Sequence, residues 1–219
     1  MSDVPSSPHE HPQPGPPDAR PPEPILIVVM GVSGCGKSTL GKSLAAALAY
    51  PFIDADDLHP PANVAKMSRG EPLTDADRAP WLVIVRDAAV HAASVHPTSS
   101  TSTSTPGVIV ACSALKRAYR AVLRDSHLRT YFVHPHGSRE LLLERMTARP
   151  NHFMKAGMLD SQLAALEDPL EGEGAEEKEE GVLRVPLELG MEEQVKYAVE
   201  GLERWGAVRS TWDAGTAGN

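Results

Sequence analysis

Apolar residues occur as short dense runs separated by amphipathic or polar stretches. The first run, ILIVVM (25–30), is continuous and rich in β-branched residues, as a strand buried on both faces requires. GVSGCGKST follows it, and then LGKSLAAALA, which is helical by composition. A short apolar FI leads into DADD and a polar loop. The pattern then predicts a helix from Ala79 to Val95, a strand at VIVACS (108–113), a helix over 114–125 and a strand at TYFVHP (130–135). A helical stretch from Ser138 through Met146 breaks near Pro150 and resumes as AGMLDSQLAALE. VLRVPL (182–187) reads as the last strand and MEEQVKYAVEGLERW as the last helix. Strand and helix alternate, which predicts an α/β fold of three layers, α/β/α, with a parallel sheet and helices on both faces. Such sheets bind ligands at the carboxyl ends of their strands, so chemistry is expected just after the apolar runs.

Composition changes the picture at the edges of this domain. Residues 1–24 are dominated by Pro and offer little to bury, which predicts a disordered or polyproline-like tail. The ordered domain is expected over 25–208, with a flexible C-terminus at 209–219. Two insertions interrupt it: the Ser/Thr-rich HPTSSTSTSTPG (96–107) and the acidic EGEGAEEKEEG (171–181). The formal net charge is −8, and the acidic insertion alone holds six Glu and one Lys. The acidity therefore belongs mostly to one loop, and bulk charge does not favour a nucleic-acid partner. Two cysteines, Cys35 and Cys112, make no disulfide framework, and a reducing compartment is the simpler expectation. No apolar run reaches membrane-spanning length, and neither a signal core nor a transit-peptide pattern is visible. A cytoplasmic protein with no membrane partner is expected by default.

GVSGCGKS (31–38) fits G-x-x-x-x-G-K-[ST] at every position. Gly31, Gly34 and Gly36 let the backbone fold into a nest of N–H groups facing an anion. The helix behind adds the positive end of its dipole. In this pattern Lys37 reaches the β- and γ-phosphates and the Ser38 hydroxyl ligates Mg²⁺. The loop stands between a buried-type strand and an Ala/Leu-rich helix, the context the motif needs. Cys35 lies inside it; a redox switch and a small residue tolerated at a variable position are both compatible with that.

The next feature is FIDADDLHP (52–60). Asp54 falls at the end of the second strand, where a carboxylate can hold Mg²⁺ through its water shell. If the chain is still extended, Asp56 shares a side with Asp54 and faces a substrate hydroxyl, as an Asp does in phosphoryl transfer. Asp57 falls on the other side and reads as a helix cap or a solvated charge. His59 could meet a polyol, or pack, or cap; the local sequence does not separate these.

Longer blocks go further. MGVSGCGKST, DADDLHPPANVAKMSRGEPLTDADRAPWL, VACSALKRAYRAVLR and RMTARPNHFMKAGMLDSQLAALEDP, in this order, resemble the gluconokinases of the shikimate-kinase-like branch of P-loop kinases. The blocks cover most of residues 25–205, and the second block and CSALK are far more specific than the phosphate loop. The resemblance implies a P-loop kinase fold with a mobile lid, and ATP- and Mg²⁺-dependent phosphorylation of D-gluconate at its 6-hydroxyl to 6-phosphogluconate for the pentose phosphate pathway. It implies that Gly31, Val32, Ser33, Gly34, Cys35, Gly36, Lys37, Ser38 and Thr39 bind ATP. Ser38 and Asp54 would serve the metal, and Asp56 the hydroxyl as candidate base. Gluconate is an anion, so its site needs a cation. Arg78 and Lys116 are the first candidates, with Arg120 and Lys66 behind them. A surface ion pair with Asp75, Asp77 or Asp87 is the competing use of Arg78. Ser113 and His59 would meet sugar hydroxyls. RMTARPNHF would be the lid, with Arg145 and Arg149 closing on the phosphates and His152 and Phe153 continuing the pattern. The adenine pocket is expected after VLRVPL, and a homodimer is left open.

The Pro-rich tail and the two insertions depart from the compact family form and bear on regulation; the Ser/Thr run is either a phosphorylation target or a solvated linker. A kinase for another small hydroxy acid would carry the same machinery. A nucleotide-binding regulator without turnover would be marked by loss of Lys37, Asp54, Asp56 or the lid arginines, and all are present.

Overall fold

The computed structural model describes residues 23–95, 105–148, 156–171 and 178–209. Its elements, in chain order, are β1 (Ile25–Val29), α1 (Lys37–Leu48), β2 (Phe52–Asp54), a 3-10 turn (Ala55–Leu58), α2 (Pro61–Ser68), α3 (Asp75–Val95), β3 (Gly107–Ala111), α4 (Arg117–Arg124), β4 (Arg129–His136), α5 (Arg139–Thr147), α6 (Ala156–Ala165), β5 (Val182–Pro186) and α7 (Met191–Arg204). The five strands pair in the order β2-β3-β1-β4-β5, and every pairing is parallel.

β1 is central, and all five of its residues are fully buried. Its alternating side chains feed two cores. Leu26 and Val28 pack in the cluster that holds Trp81, Leu82, Val85 and Ala89 of α3 and Leu123 of α4. Ile25, Ile27 and Val29 pack with Leu40 and Leu44 of α1 and Val195, Ala198, Val199 and Leu202 of α7. A strand covered on both faces must read as a continuous apolar run, and ILIVV does. The expected three-layer arrangement is therefore present. A third cluster (Val32, Cys35, Leu115, Leu142, Met146, Leu159 and Leu187) joins the loop after β1 to α5 and α6.

Several boundaries differ from the sequence expectation. α2 replaces part of the expected polar loop. Asn63 is its one buried residue, while Val64 and Met67 are exposed, so it has no apolar stripe to read. α3 starts at Asp75 rather than Ala79, with Pro80 inside the helix and Asp75 and Asp77 complementing its N-terminal dipole. β3 ends at Ala111 and α4 starts only at Arg117, because Ala114 adopts a left-handed conformation (φ 44°) that neither a strand nor a helix accommodates.

The acidic insertion is not wholly a solvated loop. Glu179 is nearly buried and pairs with Arg120, which is itself 1 % exposed. Arg120 Nε donates to both Glu179 oxygens at 2.9 and 3.0 Å. Its Nη1 donates to the carbonyls of Ala114 and Leu115, each at 2.9 Å, and its Nη2 to that of Glu167 at 2.8 Å. Residues 1–22, 96–104, 149–155, 172–177 and 210–219, which contain most of the tail, the Ser/Thr run and the lid loop, lie outside the described residues. Among the described residues no helix is long and apolar enough to cross a membrane.

Candidate active site

The parallel register brings the ends of β1, β2 and β3 to one edge of the sheet. Val29 pairs with Ala111 and Val133, and Asp54 with Ala111. The phosphate loop, the acidic triplet and CSALK leave from this edge. Gly31 N–H donates to the Ser113 carbonyl at 3.1 Å, which ties the loop to CSALK. Gly34 and Gly36 take positive φ values of 83° and 86°, and a Cβ at Gly34 would lie 2.4 Å from Met146 Cγ. α1 starts directly behind at Lys37, whose Nζ donates to the Val32 carbonyl at 3.0 Å. Cys35 is buried against Val32, Leu142 and Met146, so its environment is that of a packed side chain. Thr39 is exposed.

Ser38 Oγ donates to Asp54 Oδ2 at 2.7 Å. Both are hard oxygens, a donor set that fits Mg²⁺. The chain does not stay extended past Asp54, as the alternation argument assumed. It turns into the 3-10 helix, and Asp54 caps that turn by accepting the Asp56 N–H on Oδ1 at 3.2 Å. The cap is therefore Asp54 rather than Asp57, which is exposed. One carboxylate faces the phosphate-loop serine with one oxygen and fixes the Asp56 backbone with the other.

Trp81, which the sequence reading did not single out, holds this turn from below. It is 2 % exposed, and its indole N–H donates to the Ala55 carbonyl at 2.8 Å. His59 stacks on the Trp81 ring with centroids 4.2 Å apart and 14° between planes. Burial lowers the His59 pKa below the usual imidazole value; Asp56 opposes this and Arg78 adds to it. Asn63 donates to the Asp77 carbonyl at 2.9 Å and sits 3.4 Å from His59 Nδ1. The signal for Trp81 was its place in an apolar stripe of α3, which by itself reads as core.

The expected cations divide into three kinds. Lys66 is held by Asp77 at 2.6 Å and Lys116 by Asp75 at 2.8 Å. Tyr119 OH also donates to Asp75, and together these contacts hold the Asp75 carboxyl below its usual range and raise the Lys116 ammonium. Arg78 has no salt bridge among the described residues: Asp75, Asp77 and Asp87 each pair with other cations. Its Nη1 donates to the Leu73 carbonyl, and its guanidinium lies 6.0 Å from the Tyr119 ring centroid. Arg120 differs from the expectation. All its donors are engaged by Glu179 and three carbonyls, which leaves none for a substrate. It shapes CSALK from behind.

In the lid region, Arg145 Nη2 donates to the carbonyl of Leu187, the last residue of VLRVPL, after which the adenine pocket was expected. Arg149, His152 and Phe153 lie outside the described residues. Gln162 of α6 was missed by sequence reading. Its Oε1 accepts the Ser33 N–H at 2.6 Å, an oxygen on a phosphate-loop amide of the kind a phosphate oxygen makes.

A five-stranded parallel sheet covered on both faces, with a glycine-rich loop leading into a helix and an aspartate bonded to the loop serine, defines a P-loop kinase fold. Residues 26–169 match the AAA domain family. A gluconokinase of Gluconobacter oxydans is 48 % identical over 147 residues, 67 % of this chain and 78 % of that protein. A probable gluconokinase of Schizosaccharomyces pombe is 42 % identical over 179 residues, 80 % of this chain and 86 % of the relative. A crystal structure of a gluconokinase from Sinorhizobium meliloti superposes with a TM-score of 0.69 at 44 % identity, covering 84 % of this chain and 94 % of that chain. The chain belongs to the gluconokinase family.

Proposed function

We propose that the protein transfers the γ-phosphoryl group of ATP to the 6-hydroxyl of D-gluconate, with Mg²⁺, giving 6-phosphogluconate. Family membership supports the reaction. The observation that carries the site is the Ser38–Asp54–Asp56 relay, which links the phosphate loop to the acidic turn through contacts of 2.7 and 3.2 Å. The phosphate loop, residues 31–39 with Lys37, would bind the phosphates. Ser38 and Asp54 would hold Mg²⁺, which when bound supplies neutralisation of the phosphate charge. Asp56 orients the 6-hydroxyl and accepts its proton. His59, largely neutral on its Trp81 platform, and Ser113 are proposed to bond sugar hydroxyls. Arg145 and Arg149 would close on the phosphates.

Arg78 is the proposed carboxylate partner, because it is the expected cation whose fork is not consumed by an acid. Lys116 and Lys66 are already paired with Asp75 and Asp77, which partly offsets their charge. Arg78→Gln is expected to raise the KM for gluconate about 10- to 100-fold with a smaller change in kcat, since a charge-assisted contact is worth about 1.5–3 kcal/mol. Steady-state kinetics with ATP saturating checks this; an unchanged KM would move the carboxylate elsewhere. The reading as a whole is tested by ADP release across a panel of sugar acids and shikimate. Turnover is expected with D-gluconate. Turnover on another hydroxy acid alone would assign a different substrate, and ATP binding without turnover on any would point to a regulator.

A further inference from the structure

We propose that His134, His136 and Asp168 form a binding site for one divalent transition-metal ion of the zinc class, separate from the Ser38–Asp54 side of the nucleotide site. The two histidines stand two apart at the carboxyl end of β4, so both project to one side of the strand. Asp168 arrives from the segment after α6, its Oδ1 fixed by the Leu170 N–H at 2.9 Å. Each residue offers a ligand atom, and these atoms lie within 4.8 Å of one another. Tetrahedral zinc with bonds of ~2.1 Å needs its ligands about 3.4 Å apart, so closure asks for side-chain rotations of roughly an ångström.

A second observation points the same way. His134 is 2 % exposed, yet its Nδ1 is buried with no hydrogen-bond partner among the described residues. Leaving such a nitrogen unpaired is costly, and native structures rarely do so without a ligand, water or ion to satisfy it. Arg184, the Cα partner of His134 on β5, donates from Nη2 to both Asp168 oxygens at 2.6 and 2.7 Å. A single nitrogen bridging both oxygens orients the carboxylate; with Oδ1 also accepting the Leu170 N–H, it is Oδ2 that keeps a further lone pair for an ion. Arg184 and Arg120 oppose a cation here, whereas Asp168 attracts one, so nitrogen donors must supply much of the affinity. That selects Zn²⁺, Co²⁺, Ni²⁺ or Cu²⁺ over Mg²⁺.

The placement also gives the ion a mechanical consequence. A Cβ at Gly31 would come within 3.3 Å of His134 Cδ2, so the His134 ring packs on the first residue of the phosphate loop. An ion here would tie that base to the segment following α6, the helix whose Gln162 touches Ser33.

The test uses the full chain, stripped of metal, titrated with Zn²⁺ by calorimetry and with Co²⁺ by visible absorption. One equivalent per chain and d–d bands of a low-coordinate, imidazole-ligated Co²⁺ are expected. His136→Ala and Asp168→Asn should each weaken Zn²⁺ at least tenfold. His9 and His11 share the same spacing in the tail, and the H9A/H11A variant should keep both stoichiometry and affinity. An absent Co²⁺ spectrum in the wild-type chain would overturn the proposal whatever the variants do. So would unchanged affinity in His136→Ala, or loss of binding in H9A/H11A.

Discussion

Asp56→Asn is expected to leave ATP binding intact and to lower kcat by between about a hundredfold and ten-thousandfold, the range that a positioned proton acceptor contributes. The position of the side chain sets this expectation. Its backbone is fixed by Asp54, the preceding carbonyl by Trp81, and the carboxylate itself is exposed at the sheet edge. Asn keeps the shape and the turn but cannot take a proton. A dissociative transition state asks mainly for orientation of the hydroxyl, which Asn provides in part, so a loss toward the lower end of the range would point to orientation as the larger contribution. Equilibrium binding of ATP alongside steady-state rates separates the two effects. A near-normal kcat would remove Asp56 from its proposed role.

Glu179→Ala is expected to destabilise the fold by about 3–5 kcal/mol, because it leaves the Arg120 guanidinium buried without its counter-charge. For a chain of this size that lowers the melting temperature by on the order of 10 °C. Arg120 also holds the carbonyls of Ala114 and Leu115, and Ala114 is kept in a left-handed conformation without being glycine. Loosening the pair should therefore disturb CSALK before the sheet melts, and gluconate KM should rise in the variant at temperatures where its circular dichroism is still native. Thermal unfolding and kinetics together check this. A melting temperature within a degree or two of wild type would mean that Glu179 is not the counter-ion in solution.

The layers of the fold were legible because the physics behind them is local. Ile25–Val29 must be apolar throughout when both faces are covered, and the phosphate loop needs its glycines at positions with positive φ. α2 was invisible because a helix that buries only Asn63 carries no apolar period. Asp54 and Asp56 were given different roles by assuming an extended chain. The structure separates them differently, through a capped 3-10 turn, and that turn depends on Trp81, 26 residues away in sequence. Arg120 illustrates the limit most sharply. The family resemblance and an anionic substrate made it a reserve candidate for the substrate cation, and only the folding back of Glu179 from the acidic insertion shows that it is consumed inside the protein. Long-range partners of charged residues leave no local trace. The His134–His136 pair shows the same limit, since HPH within a strand reads as two ordinary histidines until Asp168 is brought beside them.

Transfer of the γ-phosphoryl group from ATP to the 6-hydroxyl of D-gluconate must yield ADP and 6-phosphogluconate together. The most direct measurement incubates the protein with ATP, Mg²⁺ and D-gluconate and quantifies ADP and 6-phosphogluconate together. The latter is followed through NADP⁺ reduction by added 6-phosphogluconate dehydrogenase. The two products are expected in a one-to-one ratio, and neither when gluconate is omitted. ADP release indifferent to gluconate, or gluconate-dependent ADP without 6-phosphogluconate, would contradict it.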